Sequence, residues 1–272
     1  MGNARFLTWL GAKEKILPFM VPHLPTHFNN YIEPFLGSGS MFFHLAATNK
    51  LTSDNPIFLS DTCSDLIMAY RGIKDHLHST TLYLENHFNL NSKKYFKSQH
   101  NKAYDTIAEI AANFIYLNKS SYGGIYRITS TGLTSLCFRD EPLKAFNTFD
   151  YWLAHSYLQR CNLTLSSFEK PLYKAKENDF VYIDPPYESF HEGSKKAQYS
   201  GNFGSKQHDH LEKICHHLTD SGVKFMLSNS DCGLTRQRYK RYNIIELDVK
   251  YRFTKNSLLI AQDKKELLIT NY

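Results

Sequence analysis

Apolar and polar positions along the chain follow two alternating rhythms. Tyr31-Ile32-Glu33-Pro34-Phe35 reads as a short buried strand, and the turn Leu36-Gly37-Ser38-Gly39-Ser40 leads into an apolar, helix-compatible run from Met41 to Ala47. Ile57 to Asp61 reads as a second strand ending in a carboxylate, followed by a helix through Asp65–Tyr70. This opening predicts a parallel sheet with crossover helices, an α/β fold. The rhythm lapses from Leu77 to Ser156. That stretch is richer in Asn, Ser, Thr, Lys and Tyr, with one helix candidate, Thr106 to Asn118, before a Gly/Ser/Thr-rich run from Ser120 to Ser135. It returns with strands at Asn162–Leu165, Asp179–Asp184, Val223–Leu227, Ile244–Leu247 and Leu267–Thr270, and a helix at His208–Thr219. The polar segment from His191 to Lys206 reads as a mobile loop. The expected organisation is one domain from 1–76 and 157–272, interrupted by a second at 77–156.

Composition narrows the class. With 42% apolar and 21% charged residues, the 272-residue chain is neither disordered nor short of core. No apolar run reaches 18 residues, so no membrane-spanning helix is expected, and the N-terminal stretch has no signal-peptide core. Cys63, Cys137, Cys161, Cys215 and Cys232 are odd in number and lack C-x-x-C spacing. A disulfide framework and a zinc site are both disfavoured, and a reducing cytoplasm fits. The 13 histidines fall in no ligand spacing, so no metal is expected. The net charge is +6, and Lys224 to Lys255 alone holds eight basic against three acidic side chains. That excess suits a polyanionic partner or a solvated basic face.

Two motifs carry candidate chemistry. Gly37-Ser38-Gly39 after a strand lets backbone pass close to a ligand, and Asp61, ending the next strand, can accept from both hydroxyls of a ribose. Phe42 occupies the position of the third glycine of a dinucleotide fingerprint, so a nucleoside suits the site better than a pyrophosphate. At the end of a later strand stands Asp184-Pro185-Pro186-Tyr187. Two prolines stiffen the turn. The carboxylate and carbonyls of Asp184 and Pro185 can then converge on an exocyclic amine, with the Tyr187 ring as a stacking face.

Together with the opening Trp9-x-Gly11-x-Lys13, these motifs resemble the Dam-type DNA adenine-N6 methyltransferases. Glu33-Pro34-Phe35-x-Gly37-x-Gly39 resembles that family's cofactor loop, Asp184 to Tyr187 its catalytic tetrapeptide, and Asn118 to Arg127 the start of its DNA-recognition hairpin. Glu266 to Tyr272 resembles its terminal strand. The resemblance implies a Rossmann-like S-adenosylmethionine-dependent methyltransferase sheet, with a mostly helical target-recognition insertion and a β-hairpin near 120–139. It implies that Trp9, Lys13, Glu33, Pro34, Phe35, Gly37, Gly39, Asp61, Phe168 and Asp184 surround the cofactor. Bulk at Gly39 would clash with it. Asp184, Pro185, Pro186 and Tyr187 would be catalytic, and Thr8, Tyr122, Tyr126, Arg127 and Arg139 would meet double-stranded DNA. S-adenosylhomocysteine would be the product, and no metal is required because the sulfonium's charge is lost as the thioether leaves.

Within the resemblance, members acting on GATC carry Lys before the opening Trp; here it is Thr8. The Asn and Pro that follow their recognition arginine are absent after Arg127. Arg127 is expected to read guanine or to touch phosphate, and the target is expected to differ from plain GATC. An N4-cytosine enzyme, an RNA methyltransferase and a silent DNA-binding module stand as alternatives. A cognate restriction enzyme is a partner left open, as is the oligomeric state.

Overall fold

The computed structural model describes residues 4–52, 54–122, 136–141, 143, 147–187, 203–247 and 266–272. Its strands are β1 (Tyr31–Glu33), β2 (Ile57–Asp61), β3 (Cys161–Leu165), β4 (Phe180–Ile183), β5 (Lys224–Ser230), β6 (Asn243–Leu247) and β7 (Glu266–Thr270). They form a seven-stranded sheet in the order β3-β2-β1-β4-β5-β7-β6. β1 to β5 are mutually parallel, and β7 enters antiparallel between β5 and β6. β1 stops at Glu33, two residues earlier than its apolar pattern suggests, because Pro34 has no N–H to give the ladder. The chain runs outward from β1 through β2 to β3, then returns to place β4 on the other side of β1. This reversal opens a crevice above the carboxyl ends of β1 and β4, where such sheets bind ligands.

Side-chain alternation builds two cores. Tyr31, Phe180, Tyr182, Met226 and Leu268 pack into one face, and Ile32, Val181, Ile183, Phe225, Leu227, Leu267 and Ile269 into the other. The helices are α1 (Leu17–Met20), α2 (Ser40–Ala47), α3 (Ser64–Asp75), α4 (Leu77–Asn89), α5 (Lys93–Gln99), α6 (Ile107–Ser120), α7 (Thr148–Leu158), α8 (Glu169–Tyr173), α9 (Ser205–Asp220) and α10 (Gly233–Arg238). Residues of α2, α3, α4, α6 and α7 join the first core, and those of α8 and α9 the second.

α6 is the helix expected near Thr106–Asn118. Thr106 and Glu109 close a capping box at its start, and ten of its residues are buried. α4, α5 and α7 had no clear apolar period. α4 buries only Thr80, Leu84 and His87, two of them polar. The helices between 77 and 156 share the first core with α3, and the expected boundary at 156 falls within α7. Where the hairpin is expected to begin and end, Ser121 bridges Phe138 antiparallel, and Tyr122 N–H donates to the Cys137 carbonyl at 2.8 Å. Residues 123–135, including Tyr126 and Arg127, lie outside the described residues, as do 191–202 of the expected loop. Among the described residues no helix is long and apolar enough to cross a membrane, and no cluster of three metal-ligating side chains occurs.

α3 and α6 meet at Gly72. A Cβ there would lie 2.2 Å from Ala111 Cβ, and the Gly72 carbonyl accepts from Thr80 Oγ1 at 3.1 Å. Gly72→Ala should therefore destabilise by about 1–3 kcal/mol through overpacking, although alanine is the better helix former. Urea unfolding measures this; an unchanged midpoint would show that the two helices separate freely.

Candidate active site

A cavity of about 650 Å³ opens above β1, β2 and β4. Of the residues expected around it, Trp9, Lys13, Glu33, Phe35, Gly37, Asp61, Phe168, Asp184, Pro185, Pro186 and Tyr187 line it. Pro34 and Gly39 are not part of its lining but shape the turn that is.

At one end, Gly37 and Gly39 both take positive φ, +48° and +65°, which turns the chain from β1 into α2. Asp61 Oδ2 accepts the Gly37 N–H at 3.1 Å and its Oδ1 the Cys63 N–H at 3.0 Å. Tyr70 hydroxyl donates to the Gly37 carbonyl at 3.1 Å, bracing the turn from below. Trp9 covers Gly37 so closely that a Cβ would sit 2.9 Å from its ring. At Gly39 the nearest obstacle to a side chain is internal, the Tyr70 hydroxyl at 2.8 Å. The glycine is thus already required by the protein's own packing, before any ligand is considered. Burial raises the Asp61 carboxyl, opposed by its backbone donors. Phe168 stacks on Phe35 at 5.3 Å, and Phe203 closes a three-ring wall.

At the other end, Lys13 is 4% exposed and pairs with Asp184, Nζ to Oδ2 at 2.7 Å. The same ammonium donates to the Gly11 carbonyl at 2.6 Å and lies 4.8 Å from the centre of the Tyr187 ring. Ser228 Oγ donates to Asp184 Oδ1 at 2.9 Å. A serine hydroxyl has one proton, so Tyr182 is the donor in its 3.2 Å contact with Ser228. Burial pushes the Asp184 carboxyl up, while Lys13 and Ser228 hold it down toward ionisation. Tyr187 hydroxyl donates to Glu266 Oε2 at 2.7 Å.

Ser228, Glu266 and Phe203 were not foreseen. The first two sit on β5 and β7, whose apolar pattern announces strands but not which polar member reaches Asp184 or Tyr187; Phe203 falls within the segment His191–Lys206 read only as polar loop. Thr8 is half-buried, with its N–H donating to Asn118 Oδ1 at 2.9 Å and its carbonyl accepting from Asn118 Nδ2 at 2.7 Å. Asn118 thereby ties the cavity's rim to the end of α6, where the hairpin begins. Tyr122 is 68% exposed there. Arg139 N–H donates to the Ser120 carbonyl at 2.9 Å, and its guanidinium donates to the Lys119 carbonyl at 3.5 Å. Three of the eight basic side chains of Lys224–Lys255 are engaged within the chain. Arg236 pairs with Asp231 and Glu246, Arg238 with Asp209, and Lys224 donates to the His27 carbonyl. Lys250, Arg252 and Lys255 lie outside the described residues.

Sheet order and cavity define a Rossmann-like α/β fold of the methyltransferase type. The chain belongs to the D12 class N6 adenine-specific DNA methyltransferase family, whose model matches residues 9–253. It is similar to the type II methyltransferase M1.LlaDCHI of Lactococcus lactis subsp. cremoris, 30% identical over 98% of this chain and 95% of that protein. It is also similar to the type II methyltransferase M.MjaIII of Methanocaldococcus jannaschii, 29% identical over 98% of each chain. The DNA adenine methylase of Escherichia coli K12 is 27% identical over 93% of this chain and 90% of its own. The chain is an enzyme of adenine-N6 methylation in DNA.

Glu33 gives the site a pH signature. Burial pushes its carboxyl up from 4.5 to about 8, against the hydrogen bond that Tyr31 donates at 2.7 Å. Folding therefore binds this proton more tightly than the unfolded chain does. The stability it contributes is whole below 4.5 and is lost as pH rises through about 8. Glu33→Gln keeps an acceptor for Tyr31 and cannot ionise. Unfolding free energies compared from about pH 5 to about pH 9 should shift progressively in the variant's favour. A difference independent of pH would show that Glu33 ionises normally.

Proposed function

We propose that the cavity holds S-adenosylmethionine at its Asp61 end and receives, at its Asp184 end, an adenine flipped out of double-stranded DNA. The observation that carries this reading is the continuity of one cavity between those two carboxylates. The residues fit the cofactor. An ionised carboxylate offers about four acceptor positions, and Asp61 uses one on each oxygen for backbone, leaving both oxygens free to meet a ribose diol. The Phe35, Phe168 and Phe203 wall offers an apolar surface for a purine, and Trp9 and the Gly37 turn would border the remainder. The bound cofactor supplies a sulfonium methyl and leaves as S-adenosylhomocysteine.

The chain's own residues do the rest. Asp184, which Lys13 draws toward its ionised, acceptor-only form, would hold the two N–H bonds of the target amine together with the Pro185 carbonyl. That favours a tetrahedral nitrogen whose lone pair is free for transfer. Pro185 and Pro186 fix the turn, so the acceptors cost little reorganisation during the reaction. A base within a duplex cannot reach this depth, and the Tyr187 ring offers stacking in exchange for the few kcal/mol lost on flipping.

For the DNA backbone, α5 is the surface we favour. Lys93, Lys94 and Lys97 are exposed, and no acid interrupts the chain from Asn86 to Tyr104. Phe96 of α5 packs at 5.3 Å on Phe138 at the hairpin base, linking these lysines to the recognition element. With Thr8 in place of lysine, and its backbone engaged by Asn118, the proposed target is an adenine-containing site sharing only part of GATC, or a shorter one. Arg127 would read a guanine within it. The two type II relatives suggest a cognate restriction enzyme as a partner class.

Sequencing of genomic DNA from an expressing host with modification-sensitive detection tests the assignment. N6-methyladenine in one recurrent context is expected, absent with Asp184→Ala; methylation confined to strict GATC would overturn the target reading, and undiminished methylation by Asp184→Ala the catalytic one. Replacing Lys93, Lys94 and Lys97 by Gln should reduce the log–log salt slope of duplex binding by about 0.9 for each phosphate that is no longer neutralised. An unchanged slope would remove α5 from the interface.

A further inference from the structure

Tyr187 is held at two points. Its ring faces the Lys13 ammonium at 4.8 Å, and its hydroxyl donates to Glu266 Oε2 at 2.7 Å. Glu266 stands 79 residues away in the chain, is 7% exposed and opens β7. Its backbone is fixed from both sides, opposite Ser230 of β5 and Leu247 of β6. The carboxylate is therefore mounted on a rigid inner strand rather than on a loop. Pro185 and Pro186 restrict the backbone that leads to Tyr187, which leaves rotation of the side chain itself as its main freedom. The bond to Glu266 fixes the far end of the ring, and because a phenolic O–H lies in the plane of its ring, the acceptor's position also favours one ring plane.

We infer that Glu266 is a positioning residue for methyl transfer: it sets the plane of the Tyr187 ring against which the target base lies. The inference rests on the reading of Tyr187 as the stacking face. A ring free to turn would still bury apolar area, so duplex affinity, carried by phosphate contacts, would change little. The flipped base would then sample orientations in which its amine misses the Asp184 acceptors, and turnover would fall. A misplacement of this kind is expensive because transfer depends on alignment.

The test uses the full-length enzyme and a duplex carrying 2-aminopurine at the target adenine, whose fluorescence rises when that base unstacks. Tyr187→Phe removes only the hydroxyl, Glu266→Ala removes the carboxylate with every contact it makes, and Glu266→Gln keeps an acceptor oxygen. Tyr187→Phe and Glu266→Ala should each lower kcat on the unmodified duplex by about tenfold or more and alter the 2-aminopurine signal, with duplex Kd within about twofold of wild type. Glu266→Gln should recover most of the loss, and the double variant Tyr187→Phe/Glu266→Ala should be no worse than either single one. Wild-type kcat and fluorescence in Tyr187→Phe would overturn the inference, even if Glu266→Ala failed to fold. Additive losses in the double variant would do so too. Tyr187→Ala separates the two readings. If it retains both signals, the stacking role itself fails; if it loses them while Tyr187→Phe does not, stacking stands and the role of Glu266 falls.

Discussion

A lysine and an aspartate meet in a pocket whose burial would discharge the aspartate alone. Burial drives Asp184 toward the neutral acid, and a neutral acid would present a donor where the proposed transfer needs only acceptors. Lys13 at 2.7 Å opposes this, and the rest of the site is arranged so that the pair can exist. The Gly11 carbonyl accepts a hydrogen bond from the ammonium, the Tyr187 ring offers its face, and Ser228 donates to the other oxygen of the carboxylate. Each group comes from a different part of the sheet or its N-terminal approach. The pair thus depends on nearly the whole catalytic half being in register.

The N-terminal approach also joins recognition to chemistry. Trp9 covers the Gly37 turn, while its neighbour Thr8 is gripped by Asn118 at the end of the helix that leads into the hairpin. Asn118 uses both ends of its amide on one residue's N–H and carbonyl, much as a neighbouring strand would. The close α3–α6 contact at Gly72 keeps that helix seated on the same core as the sheet. A displacement at the end of α6 is thereby passed to the Gly37 turn through Asn118, Thr8 and Trp9, whose ring also lies 6.3 Å from that of Phe114 in the same helix.

Much of this was legible in the chain. Strand β2, the Gly37–Gly39 turn, Asp61 and the Asp184–Tyr187 tetrapeptide stand out because apolar runs end abruptly in residues that have few structural uses there. α6 was legible from its buried face and its capping box. α4, α5 and α7 were not, since a helix that buries Thr80 and His87 satisfies its polar groups through partners no local pattern reveals. His87, for example, stacks on Tyr116 and shares a 2.8 Å hydrogen bond with the Tyr95 hydroxyl. Likewise Ser228 and Glu266 owe their places to sheet register, 44 and 79 residues from the groups they touch. The concentration of positive charge at Lys224–Lys255 pointed outward in the sequence. In the fold Arg236 and Arg238 are instead paired with acids of β6, of α9 and of the residue after β5.

The antiparallel insertion of β7 has a consequence for the order in which the enzyme comes together. β6 and β7 form an antiparallel pair in which Asn243 and Thr270 stand 27 residues apart, and β7 meets β5 where Met226 and Thr270 stand 44 apart. β1 must instead await β4, with Tyr31 paired to Phe180 across 149 residues. Pairings of short sequence separation carry the smaller loop-closure cost. The β5-β7-β6 edge that carries Glu266 would therefore assemble early, before the crevice between β1 and β4 exists. The anchor of the Tyr187 hydroxyl would be standing before the hollow that Tyr187 borders has closed.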